Sequence, residues 1–307
     1  IDADFADIQE AQFDRREQEA GVVSASTEDG VEFSYQHPQL AYRTIVVAAG
    51  HEGPPSGTPD VARPFTGRLT TRVQLAPQET RELTMTVTPI AGSETLSDAD
   101  VSAREESLDR WRTAFTRITM PGNRLFESIV ETNIRDIGSF PLLDGPRDEW
   151  LAMQAGMPAY PAFFGRDAVT AGWQAGLLDC GDALEAALGR LTRMQSNRVD
   201  DWRDEQPGRI PYQMRTGPLA LLNINPYSAY YADFASPLMF VISLANLYSW
   251  AGDRVCIRRH WDAVRAIMDW AREHGDADGD GYLEYRTRSS KGTKNQGWKD
   301  SGDAVIY

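Results

Sequence analysis

Residues 126–137 read Phe-Glu-Ser-Ile-Val-Glu-Thr-Asn-Ile-Arg-Asp-Ile, and their apolar positions recur every three or four residues. This spacing places an apolar stripe along one side of a helix. A second such stripe runs through residues 261–268. The stretches between them that are also predicted to be helical are residues 168–178, 183–194 and 237–250. Helix pairs joined by loops indicate a helical barrel or toroid, and the lack of a fixed sequence period disfavours a solenoid.

The first 92 residues follow a different period, which is typical of β-strands. Apolar residues alternate with polar ones in residues 68–75 and again in residues 81–88, while residues 44–48 form a continuous apolar run. Turn residues such as Glu28-Asp29-Gly30 separate these runs. The pattern predicts part of an antiparallel β-sandwich over residues 1–95, followed by a linker helix over residues 96–120.

The composition narrows the choice of partners and compartment. The 307-residue chain has a formal net charge of −14, which disfavours nucleic acid and anionic membranes and favours a neutral or cationic ligand. No apolar run is long enough to span a bilayer. Cys180 and Cys256 lie far apart in helical patterns, which predicts buried free thiols and a cytoplasmic location. The chain begins at Ile1 and reads as a fragment or processed chain without a targeting signal.

Three loops between the predicted helices carry candidate sugar-binding residues. The first reads Phe163-Phe164-Gly165-Arg166-Asp167. Arg166 can donate to vicinal sugar hydroxyls and Asp167 can accept from them, while Phe164 covers an apolar sugar face. The alternative is structural, with Asp167 capping the next helix and pairing with Arg166.

The second loop runs from Tyr227 to Pro237 and contains three tyrosines and an aspartate. Tyr231 and Asp233 are the candidate sugar contacts in this loop. The alternative is an aromatic loop that packs on the rim of the helical domain, with Ser236 capping the helix that follows.

The third loop contains Gly297-Trp298-Lys299-Asp300-Ser301. An indole can stack on a sugar, and an apolar wall can raise a carboxyl pKa enough for the group to act as a general acid. Asp300 is therefore the catalytic candidate, with Trp298 and Lys299 as substrate contacts. The alternative is a solvated ion pair between Asp300 and its lysine neighbour.

The stretch from Asp276 to Glu284 is a possible calcium site. Its three regularly spaced aspartates are followed by Gly281, which favours a sharp turn. The predicted ligands are side-chain or carbonyl oxygens of Asp276, Asp278, Asp280, Tyr282 and Glu284. An EF-hand expects a glutamate at its twelfth position, where this chain has Thr287, so a plain acidic turn is the favoured alternative.

Four stretches together resemble the glycogen debranching, amylo-α-1,6-glucosidase type family, which is related to glucoamylases. They span nearly the whole chain, and the last is the most specific: residues 3–8, 155–167, 208–238 and 295–303. The third stretch departs from the family pattern at Asp233, which many relatives place nearer the Ser/Thr-Pro pair.

The resemblance implies an inverting glycoside hydrolase with a catalytic (α/α)6 barrel behind a β-sandwich. Residues 1–95 would then be the C-terminal part of the sandwich, and residues 121–307 the first half of the barrel. Asp300 would be the general acid, and the base would be a glutamate beyond Tyr307, so the chain alone is expected to be inactive.

The implied substrate is an oligosaccharide or glucan with α-glucosidic linkages, in particular α-1,6 branch points. No cofactor is required beyond the possible Ca²⁺, and a second chain is a candidate partner that would complete the barrel. The alternatives are a non-catalytic carbohydrate-binding or scaffold protein, and a trehalase or other α-glucosidase on the same barrel.

Overall fold

The computed structural model of the protein has two compact units, Ile1–Ser97 and Asp98–Tyr307. The residues that it describes are 1, 3–17, 21–52, 67–92, 98–144, 150–252 and 254–299. No helix among these residues combines the length and the apolar character that crossing a membrane requires.

The described part of the N-terminal unit is built on a four-stranded antiparallel sheet. After a short helix α1 (Ile8–Gln12), the strands follow in the order β1-β2-β3-β4. Their bounds are Gly21–Ser26 (β1), Gly30–Gln36 (β2), Tyr42–Ala48 (β3) and Met85–Ala91 (β4). One face carries a small apolar core in which Val31, Phe33 and Val46 are buried, with Phe5 packed against them. This sheet is consistent with a β-sandwich.

The strand predictions are confirmed for β3 and in part for β4, but residues 68–75 do not form a strand. Thr71 makes only an isolated bridge with His51. Leu83, Met85 and Val87, the alternating apolar residues near β4, are exposed. Alternation predicts two faces but not a partner strand, and among the described strands β4 pairs with β3 alone.

The C-terminal unit is helical, as predicted. Its helices are α2 (Asp98–Thr113), α3 (Arg124–Ile137), α4 (Gly165–Asp179), α5 (Asp182–Arg193), α6 (Pro218–Leu221), α7 (Ala235–Ala251) and α8 (Arg254–Trp270). Strand β5 (Phe163–Phe164) lies just before α4 and pairs with β6 (Gln213–Met214) in a two-stranded ribbon. Helix α4 packs on α5 and α7, and α7 packs on α8. The core between them includes Val169, Leu188, Phe240 and Ile267.

The turn between α4 and α5 brings these two helices unusually close. Cys180 and Gly181 both have positive φ, at 55° and 100°. A Cβ added at Gly172 would lie 2.8 Å from the Leu184 backbone, so only glycine fits this contact. Both cysteines are free, as predicted; Cys256 is buried, but Cys180 is exposed because it lies in this turn.

Candidate active site

The Arg166 side chain is where the three predicted loops meet. It lies in the first turn of α4, and its Nη1 is 3.6 Å from Asp233 Oδ2, just before α7. The same nitrogen donates to the Gly297 carbonyl at 3.4 Å. The guanidinium carbon is 5.1 Å from the centroid of the Trp298 ring and 5.8 Å from that of Tyr212. The loops that precede α4 and α7 therefore lie against the loop that carries Trp298.

Asp233 orients this junction from a buried position. It is 1% exposed, and its carboxylate accepts hydrogen bonds from the Ala235 amide at 2.7 Å and the Ser236 hydroxyl at 2.6 Å. Burial raises the pKa of Asp233, while Arg166 acts in the opposite direction. The described hydrogen bonds of its oxygens lie inside the protein, and the contact of Asp233 with sugar stays a prediction. Ser236 does not cap α7, which begins one residue earlier.

Phe164 and Tyr231, which are also predicted sugar contacts, both have buried side chains. The Phe164 ring packs edge-on against Tyr160 and Tyr212, and the Arg215 guanidinium carbon is 5.3 Å from its centroid. The Tyr231 hydroxyl donates to the Met194 carbonyl at 2.8 Å, and burial raises its pKa to about 12. Both aromatic side chains therefore lie in the interior of the loops and not on their solvent-exposed surface.

The remaining candidates are more accessible. Asp167 is half-buried in the first turn of α4; it does not cap the helix, because the N-cap position is Phe164. Trp298 is 60% exposed, and Lys299 is exposed beside it. Asp300 lies outside the described residues.

A buried carboxylate that sequence reasoning missed joins two of the connecting segments. Asp204 is 3% exposed, and its oxygens accept from the hydroxyls of Tyr230 and Thr287, both at 2.8 Å. They also accept from the amides of Arg288 and Ser289. A lone aspartate in a polar stretch gives no sequence signal for this role, since its side-chain partners are 26 and 83 residues away.

A second missed group supports the Trp298 loop from within the protein. Arg209 is buried, and its Nη2 donates to Gln296 Oε1 at 2.9 Å. The Gln296 carbonyl accepts from the Phe234 amide at 3.0 Å, which ties this loop to the start of α7. Burial lowers the pKa of Arg209 to about 10, while Asp204 and Asp233 oppose this shift. Arg209 falls within one of the family-like stretches, the only sequence signal that could have found it.

The acidic turn brings its four carboxylates into one cluster. Oxygens of Asp276, Asp278, Asp280 and Glu284 lie within 4.8 Å of one another. The Asp276 carboxylate accepts from the amides of Gly279 and Gly281, and the Asp280 carboxylate accepts from the Tyr282 amide. Three of the four acidic residues are exposed and Asp276 is half-buried. The donor set of oxygens fits a hard divalent cation such as Ca²⁺.

The comparison with protein families bears on the N-terminal unit. Residues 1–86 match the family described as the N-terminal domain of (some) glycogen debranching enzymes. This part of the chain is similar to the glycogen debranching family. The family resemblance seen in the sequence is thereby confirmed. The match ends before the helical unit and so assigns no residue of the candidate site. The comparison with curated proteins gave no match.

Proposed function

We propose that this protein is a glycoside hydrolase of the debranching type, acting on α-glucosidic linkages such as the α-1,6 branch points of glycogen. The family match supports the debranching class. The observation that carries the site is the junction at Arg166, which brings together the three loops predicted to bind sugar. Loops that meet on a rigid scaffold are a common location for binding and catalytic sites.

The proposed reaction uses Asp300 as general acid. It protonates the glycosidic oxygen while a glutamate on polypeptide beyond Tyr307 activates water on the opposite face of the sugar. An inverting enzyme holds the two carboxyl groups about 6.5–9.5 Å apart to leave room for that water. We propose the catalytic domain to be an (α/α)6 barrel, of which the described helices form part.

Trp298 is the proposed stacking platform for the sugar. The Arg166 guanidinium lies over its ring, yet the side chain remains 60% exposed, so ring surface is available for a pyranose. Arg166 is a positioning residue in this scheme, because its described contacts hold Trp298 and Gly297 in place. Asp167 and Lys299 supply the polar contacts to sugar hydroxyls.

A further proposal concerns what covers the outer helices. Large apolar side chains on α7 and α8 are exposed, including Ile242, Trp261 and Met268. Apolar stripes of this kind are normally covered by another element. Further polypeptide or a second chain that completes the barrel would cover them, and the isolated 307-residue chain is then expected to aggregate and to be inactive.

The test is Asp300→Asn in the complete reading-frame product. The amide is close to the carboxyl in shape but cannot deliver the proton, so turnover on panose should fall about 10²–10⁴-fold while sugar binding is kept. Asp262→Asn, an exposed aspartate on α8, is the matched control and should retain activity. Near-wild-type turnover of Asp300→Asn would refute the assignment of the acid.

The same measurements separate the alternatives. If the protein were a carbohydrate-binding scaffold, the wild type, Asp300→Asn and Asp262→Asn would all bind panose, and none of the three would hydrolyse it. A trehalase would hydrolyse trehalose in preference to panose.

A further inference from the structure

A cavity of about 580 Å³ lies in the C-terminal unit, between residues 201–209 and residues 274–288. Its volume is within the range of roughly 300–1,000 Å³ that is typical of small-molecule sites. Neither Arg166 nor Trp298 lines it. We call it the second cleft.

The floor of the second cleft is a network of buried polar side chains. Gln206 Oε1 accepts from Trp270 Nε1 at 3.0 Å and from Arg209 Nη1 at 3.4 Å. Arg209 Nη2 in turn donates to Gln296 Oε1. Among the described residues, Arg209 Nε has no hydrogen-bond partner, although Arg209 is only 5% exposed. This nitrogen is itself enclosed, so the polar groups that a ligand can reach in the cleft are the exposed lining side chains of Glu284, Arg286 and Arg288.

The charges around the second cleft indicate a neutral ligand. Its lining holds three carboxylates and three guanidinium groups, together with His274; the charged residues are Asp201, Asp204, Glu284, Arg209, Arg286 and Arg288. A phosphate or carboxylate ligand would meet the three acids as well as the three bases. A sugar hydroxyl both donates and accepts, so a polyhydroxyl ligand can use both kinds of group.

The shape of the second cleft is set before any ligand binds. The hydrogen bonds of Asp204 fix residues 287–289 on one side. On the same side, the Tyr285 ring stacks on Phe234 with centroids 5.7 Å apart, so a flat aromatic surface is held in place. A preformed wall lowers the ordering cost of binding, and aromatic rings suit the apolar faces of sugars.

We propose that the second cleft binds a short α-glucan segment without hydrolysing it. The class of sugar rests on the proposed function, while the existence of a polyhydroxyl site rests on the cleft itself. Gln296 connects the two sites, because its side chain lies in the cleft floor and it precedes Trp298 by two residues in the chain. A branched glucan could therefore be held at the cleft while another of its chains reaches the candidate active site.

The test is hydrogen exchange on the complete protein with and without maltotriose. Maltotriose should slow exchange of peptides covering residues 201–209 and 284–289. Arg286→Ala and Arg288→Ala, which remove exposed rim side chains, should each weaken this protection about tenfold in apparent Kd. Arg265→Ala, on the exposed surface of α8, is the matched control and should leave it unchanged.

Two results would overturn the proposal that the second cleft binds sugar. One is that maltotriose slows exchange only around Arg166 and Trp298, or nowhere. The other is that neither rim variant weakens the protection of the cleft. Failure of the proposed function looks different. In that case cleft protection would persist and depend on Arg286, while the wild-type protein would hydrolyse no α-glucoside.

Discussion

Two sets of carboxylates in the helical unit are held in opposite ways. Asp204 is a single buried acid that accepts hydrogen bonds from groups far away in the chain. The carboxylates of residues 276–284 are mostly exposed and bond to amides of their own turn. Only the second set has a recognisable sequence pattern. A repeated acidic motif thus reports local turn geometry, whereas the connecting segments are joined by isolated acids whose partners only the fold brings near.

The largest expected effect comes from removing the buried carboxylate, Asp204. Asp204→Ala leaves two hydroxyls and two amides without their acceptor, so we expect it to lower the free energy of unfolding by about 3–5 kcal/mol. Asp278→Ala in the exposed turn is the matched control and should change it by less than about 0.5 kcal/mol. Urea denaturation of both variants measures the difference, and equal losses would remove the distinction.

The next effect concerns the junction that links the loops. Arg166→Met keeps the length of the side chain but removes the charge that contacts Asp233 and the Trp298 ring. We expect kcat on panose to fall about 100-fold, because small displacements of catalytic groups are costly.

A readout beyond stability separates positioning from folding for Arg166. Because Asp233 is buried beside Arg166, the unfolding midpoint of Arg166→Met should fall below that of the control Arg265→Met, so kcat is compared where both variants are fully folded, and Arg166→Lys should recover part of kcat. Loss of activity only in proportion to loss of folded protein would contradict a positioning role.

The smallest expected effect tests whether a bound cation stabilises the exposed carboxylates of residues 276–284. Bound Ca²⁺ would stabilise the carboxylates of the acidic turn, as the hydroxyl and amide donors stabilise the Asp204 carboxylate. We expect Ca²⁺ to raise the unfolding temperature by a few degrees, and Asp276→Ala to abolish that rise. An unfolding temperature that is the same with and without Ca²⁺ would leave the segment as a plain turn.

The secondary structure was largely predictable, because it depends on local periodicity. The apolar stripe of residues 126–137 corresponds to α3, and the predicted helix over residues 237–250 corresponds to α7. The strand prediction for residues 68–75 was wrong, because apolar alternation also occurs where a segment lies along a core without forming a strand. Leu69 packs in this way on the apolar core of the N-terminal sheet.

The candidate site was predictable only in outline. The loops were found because aromatic and acidic residues cluster in them, but burial within a loop leaves no periodic trace. The burial of Phe164 and Asp233 was therefore not predicted. The pairing of Arg209 with Gln296 spans 87 residues, and a distance of that kind is set by the tertiary fold alone.

The most direct test of the proposed function is proton NMR of the anomeric signals during hydrolysis of panose by the complete protein. An inverting α-glucosidase of the debranching type should release β-glucose first and leave trehalose uncleaved. Release of α-glucose first, preferential cleavage of trehalose, or no hydrolysis of any α-glucoside would contradict the account.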